Sequence, residues 1–105
     1  MALQHLTAST FDAAISAAPL ALVDFWATWC GPCKIVGPVV EKFAGDYDGR
    51  ALIAKVEADS ETALSERYGI TSIPTLILFK NGTEIDRRVG VVPESVLREI
   101  LDANL

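Results

Sequence analysis

The chain has 105 residues, half of them hydrophobic and 22% charged, with a formal net charge of −5. That length suits one domain over residues 1–105, and that composition suits a compact core. The acidity and the lack of a basic cluster argue against a nucleic-acid partner, and no run reaches the ~18 apolar residues of a membrane span.

Leu3 to Thr7 is a short strand candidate. Ser9, with Asp12 three residues on, reads as a capping pair, and Phe11, Ala14, Ile15 and Ala18 then keep helical spacing as far as Pro19. The apolar stretch Ala13 to Leu22 is broken by that proline, follows Asp12 and lacks a basic leading region, so it is no secretory signal. A chain starting at Met1 without a leader is expected in the cytoplasm. Leu20 to Ala27 is apolar at nearly every position, the pattern of a strand covered on both faces.

A tight turn follows, Cys30-Gly31-Pro32-Cys33, and it carries both cysteines of the chain. A helix beyond it places Val36, Val39, Val40 and Phe43 on one face, with Pro38 expected to kink it. Gly45 to Gly49 reads as a turn and Ala51 to Glu57 as a second central strand. Asp59 or Ser60 is placed to cap a short helix that stops at Tyr68-Gly69. Thr75 to Lys80, Asn81-Gly82 and Thr83 to Val89 form a strong hairpin signal. Pro93 opens a last helix with an apolar stripe of Val96, Leu97, Ile100 and Leu101. Strand and helix alternate at first and end in a hairpin and a helix, which predicts a mixed sheet with helices on both faces.

The chemistry centres on the cysteines. A ring closed by Cys30 and Cys33 is too short to gain much from loop-closure entropy, so a structural staple explains it poorly. A disulfide that opens and closes during a reaction fits better. Pro32 suits the first position of a helix. Orphan N–H groups and the positive helix end would then face Cys30 and favour its thiolate, the nucleophilic form. Cys33, one turn further in, is expected to be the more buried and to resolve the reaction. Zinc needs four ligands, whereas this chain has no second cysteine pair and His5 is its only histidine. Covalent haem attachment needs a histidine where Lys34 stands.

Asp24 lies within Leu20 to Trp26 and is buried whichever face of the strand it takes, so its pKa should rise. Two readings stand side by side: a proton acceptor for Cys33, or a buried ion pair with Lys55, which interrupts the run Leu52-Ile53-Ala54. Trp26 reads as core and Trp29 as a partly exposed lid or docking surface. Ile73-Pro74 precedes a strand, and on general frequency alone the bond would be trans. Val89-Gly90-Val91 reads as a strand end with a turn glycine.

The run Val23-Asp24-Phe25-Trp26-Ala27-Thr28-Trp29-Cys30-Gly31-Pro32-Cys33-Lys34 resembles the thioredoxin family. Pro38, Tyr68-Gly69-Ile70, Ile73-Pro74-Thr75, Asn81-Gly82 and Val89-Gly90 extend the likeness over essentially the whole chain. The resemblance implies an α/β thioredoxin fold, a mixed five-stranded sheet flanked by four helices, with a cis bond before Pro74. It implies reduction of protein disulfides, with Cys30 attacking, Cys33 resolving, and Asp24 and Lys55 as the buried acid and its lysine neighbour. Trp29, Gly31, Pro32, Ile73, Pro74, Gly90 and Val91 match the surface on which partners dock. The implied partners are disulfide-bearing proteins and a thioredoxin reductase, with no bound cofactor or metal and a monomeric chain. A histidine before Cys33 would instead favour disulfide formation or isomerisation, and a binding module whose dithiol only switches affinity is the rival outside catalysis. Gly37 inside the helix, the bulk of Val91-Val92 and the extra carboxylate of Glu57 depart from the family pattern.

Overall fold

The computed structural model describes residues 3–105. Among them, five strands and four helices follow in order: β1 (Gln4–His5), α1 (Phe11–Ala17), β2 (Leu20–Trp26), α2 (Cys33–Asp46), β3 (Leu52–Glu57), α3 (Thr62–Arg67), β4 (Thr75–Lys80), β5 (Thr83–Val89) and α4 (Glu94–Asn104). The strands form one mixed sheet in the order β1-β3-β2-β4-β5. β3 lies parallel to both β1 and β2, while β4 runs antiparallel to β2 and to β5. β2 is the central strand, and every residue from Leu20 to Phe25 is buried.

Alternation along the strands gives each sheet face its own core. Leu20, Leu22, Ile53, Leu76 and Leu78 meet Val36, Val40 and Phe43 of α2 and Leu97 and Leu101 of α4. Ala21, Val23, Phe25, Ala54, Val56, Ile77 and Phe79 meet Phe11 and Ile15 of α1 and Leu64 of α3. Asp24 shares the first face with Leu22, and its register partner on β3 is Lys55. The end of β2 therefore delivers the chain to the cysteine turn, and α2 carries it back across that same face.

The hairpin forms as expected, with positive φ at Asn81 and Gly82, which a two-residue turn of the primed type needs. Gly69 closes α3 with φ +62°. The N–H of Ile70 reaches the carbonyl of Ser65 and that of Gly69 the carbonyl of Glu66, the paired bonds of a glycine helix stop. The β4–β5 register shifts at Leu78/Phe79, so Glu84 and Arg87 share a face and pair at 2.8 Å despite being three apart.

Three local expectations need correction. Ser9 does not cap α1: its hydroxyl meets that of Thr7, and Thr10 occupies the cap position without a capping bond. Neither Asp59 nor Ser60 caps α3. Asp59 accepts a bond from Trp29, Ser60 bonds Glu57, and Glu61 stands at the cap position while its carboxylate receives the N–H of Ala8. α2 also continues through Gly45 to Asp46, because Tyr47 just beyond it is drawn into the core and bonds Asp102 of α4 at 2.7 Å. For Asp59, Glu61 and Tyr47 a partner distant in sequence outcompetes the local one, whereas Ser9 and Ser60 are drawn to side chains two and three residues back.

Candidate active site

The cysteine turn is tightened by its own backbone. The N–H of Cys30 reaches the carbonyl of Ala27, that of Lys34 the carbonyl of Gly31, and that of Val36 the carbonyl of Pro32. Pro32 has helical dihedrals and serves as the N-cap, one position earlier than expected, and Cys33 is the first residue of α2. Its N–H has no carbonyl to bond within the helix, and it donates to Cys30 Sγ at 3.2 Å. The two cysteines are joined as a disulfide, with Cα atoms 5.3 Å apart. The helix N-terminus is thus directed at one sulfur, the environment that favours a thiolate once the bond is reduced.

Burial does not separate the two thiols. Cys30 is 2% exposed and Cys33 5%, against the expectation that Cys33 would be the more hidden. The loop before β4 folds over Cys30 and brings the carbonyl of Ile73 to 3.7 Å from its Sγ. The Ile73–Pro74 bond is cis, as the resemblance implied and general frequency did not. Gly90, with φ +89°, donates its N–H to the carbonyl of Pro74 at 2.8 Å, so the end of β5 closes against the same loop. Pro74 is buried and Ile73 half-buried, whereas Gly31 and Pro32 are exposed.

Around this point apolar side chains face solvent: Trp29 at 68% exposure, Ile35 at 63%, Val89 at 59% and Val91 at 51%. Ile35 and Val89 were missed by sequence reasoning. Ile35 could have been found, since it lies off the Val36-Val40-Phe43 stripe of its helix. Trp29 is tethered, its indole N–H donating to the Asp59 carboxylate. Trp29, Asp59, Ser65, Ile70, Ser72 and Ile73 border an open cleft of about 350 Å³. A larger hollow of about 530 Å³ opens at the other end of β2 and β3, among Pro19, Arg50 and Leu52. Neither hollow is lined by a cysteine, but the smaller one carries Trp29, the chain neighbour of Cys30, and Ile73, whose carbonyl meets Cys30 Sγ, so we place the chemistry beside it.

Asp24 is completely buried, and among the described residues neither of its carboxylate oxygens has a hydrogen-bond partner. Burial raises its pKa from 3.8 to about 6, and the nearby Lys55 charge opposes that rise without cancelling it. The expected ion pair is not made. The Lys55 ammonium instead lies over the Trp26 ring, 4.6 Å from its centroid. Trp26 is half-buried rather than core, and its indole N–H has no partner among the described residues. Glu57 bonds Ser60 Oγ at 3.0 Å. Among the described residues, no group of three or more His, Cys, Asp or Glu side chains is arranged to hold a metal ion, and no helix is long and apolar enough to cross a membrane.

Comparison with known proteins agrees with this geometry. The family model described as Thioredoxin matches residues 2–103. A protein named thioredoxin from Staphylococcus epidermidis is 50% identical over 105 residues, covering all of both chains. One from Staphylococcus aureus is 46% identical over the same full length. Among solved structures, a mutant thioredoxin from Halobacterium salinarum NRC-1 superposes with a TM-score of 0.91 at 33% identity, covering 98% of this chain and 90% of that one. A Plasmodium falciparum thioredoxin gives 0.89 at 34% identity, covering 98% and 100%.

Proposed function

The chain belongs to the thioredoxin family, and on that premise we propose that it is a general protein-disulfide reductase working through a mixed disulfide. The observation that carries the reading is the N–H of Cys33 held at 3.2 Å from Cys30 Sγ at the start of α2. It supports Cys30 as the nucleophile by stabilising negative charge on that sulfur. In the reduced protein the Cys30 thiolate attacks one sulfur of a substrate disulfide. A Cys30–substrate disulfide forms, the substrate bond breaks, and the departing thiolate takes a proton. Cys33 then gives its proton to the Asp24 carboxylate and attacks Cys30 Sγ. The second substrate sulfur leaves as a thiolate, and the Cys30–Cys33 disulfide holds the two electrons' worth of oxidation. An acceptor that titrates at about 6 is ionised and ready at neutral pH, yet basic enough to take the proton. Lys55 moderates that basicity through its charge.

Substrates would dock on Trp29, Gly31, Pro32, Ile73, Pro74, Gly90 and Val91, which ring the cysteines with apolar surface. The exposed Val91 would limit what fits. We further propose a monomer in the cytoplasm, with no bound cofactor, returned to its dithiol form by a thioredoxin reductase. The test is a single-cysteine trap. Cys33→Ser, reduced and mixed with a disulfide-bearing protein such as insulin, should accumulate a mixed disulfide on Cys30, whereas Cys30→Ser should accumulate none. Equal trapping by both variants would overturn the assignment of roles. Turnover of insulin by the unaltered protein, with a reductase and a nicotinamide donor, should be lost in either variant.

A further inference from the structure

Gly37 is buried in the interior of α2, one turn beyond Cys33. Glycine there forfeits helix propensity, and its φ is not positive, so no turn requires it. What lies over it is the Lys55 ammonium. A Cβ on Gly37 would stand 3.6 Å from Lys55 Nζ, with no other atom outside the helix within 4 Å. The same ammonium lies on the Trp26 ring, and the Lys55 residue is only 9% exposed. Lys55 and Asp24 are partners in the β2–β3 register, yet the Asp24 oxygens bond neither to it nor to any other described residue.

We propose that Gly37 is a positioning residue: the lack of any side chain beyond a methyl's reach there lets the Lys55 ammonium lie between α2 and the Trp26 ring, where it acts on Asp24 by charge without ion pairing. A side chain longer than a methyl at residue 37 would need the space the ammonium fills. A direct ion pair would hold Asp24 ionised and weaken it as a base, whereas an ammonium kept at a distance lowers its basicity only in part. The proposal deepens the proton-transfer reading above and rests on it for its functional meaning. Several other charges on this side of the sheet are engaged elsewhere. Glu57 on β3 meets Ser60, Arg88 on β5 meets Asp86, and Lys42 of α2 and Arg98 of α4 meet Glu94. From β4, the register partner of Asp24 is Leu76. Cys33, the titratable group at the start of α2, is locked in the disulfide when the protein is oxidised.

The experiment follows the Asp24 titration by carboxyl carbon NMR in the oxidised full-length protein. Lys55→Met should raise the midpoint by about one pH unit. Gly37→Leu and Trp26→Leu should each raise it part of the way, and neither should move it further once Lys55 is Met. An unchanged midpoint in Gly37→Leu, or a shift that persists without Lys55, would overturn the proposal. In the unaltered protein, a nuclear Overhauser contact between the Lys55 ε protons and the Gly37 α protons is expected. Its absence would overturn the proposal even if Gly37→Leu did not fold. A separate assay keeps the two readings apart: if Asp24→Asn reduces insulin as fast as the parent, the proton-transfer role falls, while the midpoints still decide the role of Gly37.

Discussion

The two faces of the sheet are built to different ends. Against α1 and α3, the core is rich in rings, and its one buried polar strand residue among the described ones, Thr75, bonds the carbonyl of Ser72. Phe11, Tyr68 and Phe79 meet edge to face or tilted with centroids 5.4 to 5.8 Å apart, and Phe25 joins them at 6.1 Å from Tyr68. Against α2 and α4, the same strands bury a carboxylate with no hydrogen-bond partner among the described residues, and an ammonium that lies between a ring and a glycine. The first face maximises burial, and the second gives up stability where it backs onto the cysteines. Buried polar groups normally find partners, so the face that breaks the rule is where the chemistry belongs.

Removing a ring should break the apolar face most severely. Phe25→Ala is expected to cost about 3–5 kcal/mol, read as a lower denaturant midpoint. The dependence of stability on pH between 4 and 7 should stay that of the parent. On the other face the sign reverses. Because folding raises the Asp24 pKa from 3.8 to about 6, the folded protein binds more protons than the unfolded one between those values. Its stability is therefore greatest below pH 3.8 as far as this group is concerned, and falls as pH rises towards 6. At 1.36 kcal/mol per pH unit that interval amounts to about 3 kcal/mol. Asp24→Asn should accordingly be more stable than the parent at pH 8 by up to about that amount, with the slope between pH 4 and 6 largely gone. Denaturant unfolding of the oxidised proteins at pH 4 and pH 8 checks both statements. If the parent has no such slope, Asp24 is not the strained group described here.

The smallest expected effect is at Gly37. An alanine methyl there would meet Lys55 Nζ at ordinary contact distance. Gly37→Ala should thus gain helix propensity without displacing the ammonium, adding about 0.5–1 kcal/mol. A loss of stability instead would mean that the ammonium tolerates no neighbour at all on that side.

What was legible in the sequence follows this division. The apolar run of β2, the cysteine turn, the Asn81-Gly82 hairpin and the Gly69 helix stop are local patterns with local physical causes, and all four stand where expected. The burial of Asp24 was legible because both strand faces around it are apolar. Its lack of an ion pair with Lys55 was not, since where a lysine head lies depends on a ring and a glycine from other elements. The cap expected at Asp59 failed for the same reason, as did the burial order of Cys30 and Cys33, which the loop before β4 decides, whereas Ser9 and Ser60 were lost to side chains two and three residues back. The cis bond before Pro74 came from the family resemblance alone. Ile35 and Val89 show the reverse lapse, since apolar residues tend to be assigned to the core unless their position on the element is checked.

The most direct test is the equilibrium reduction potential of the Cys30–Cys33 pair, measured against glutathione and dithiothreitol buffers. The account predicts a value below the glutathione poise of about −220 to −260 mV, so that electrons flow from this dithiol to substrate disulfides. A value near or above about −180 mV, where disulfide isomerases lie, would contradict it and make the pair an oxidant of other proteins' thiols.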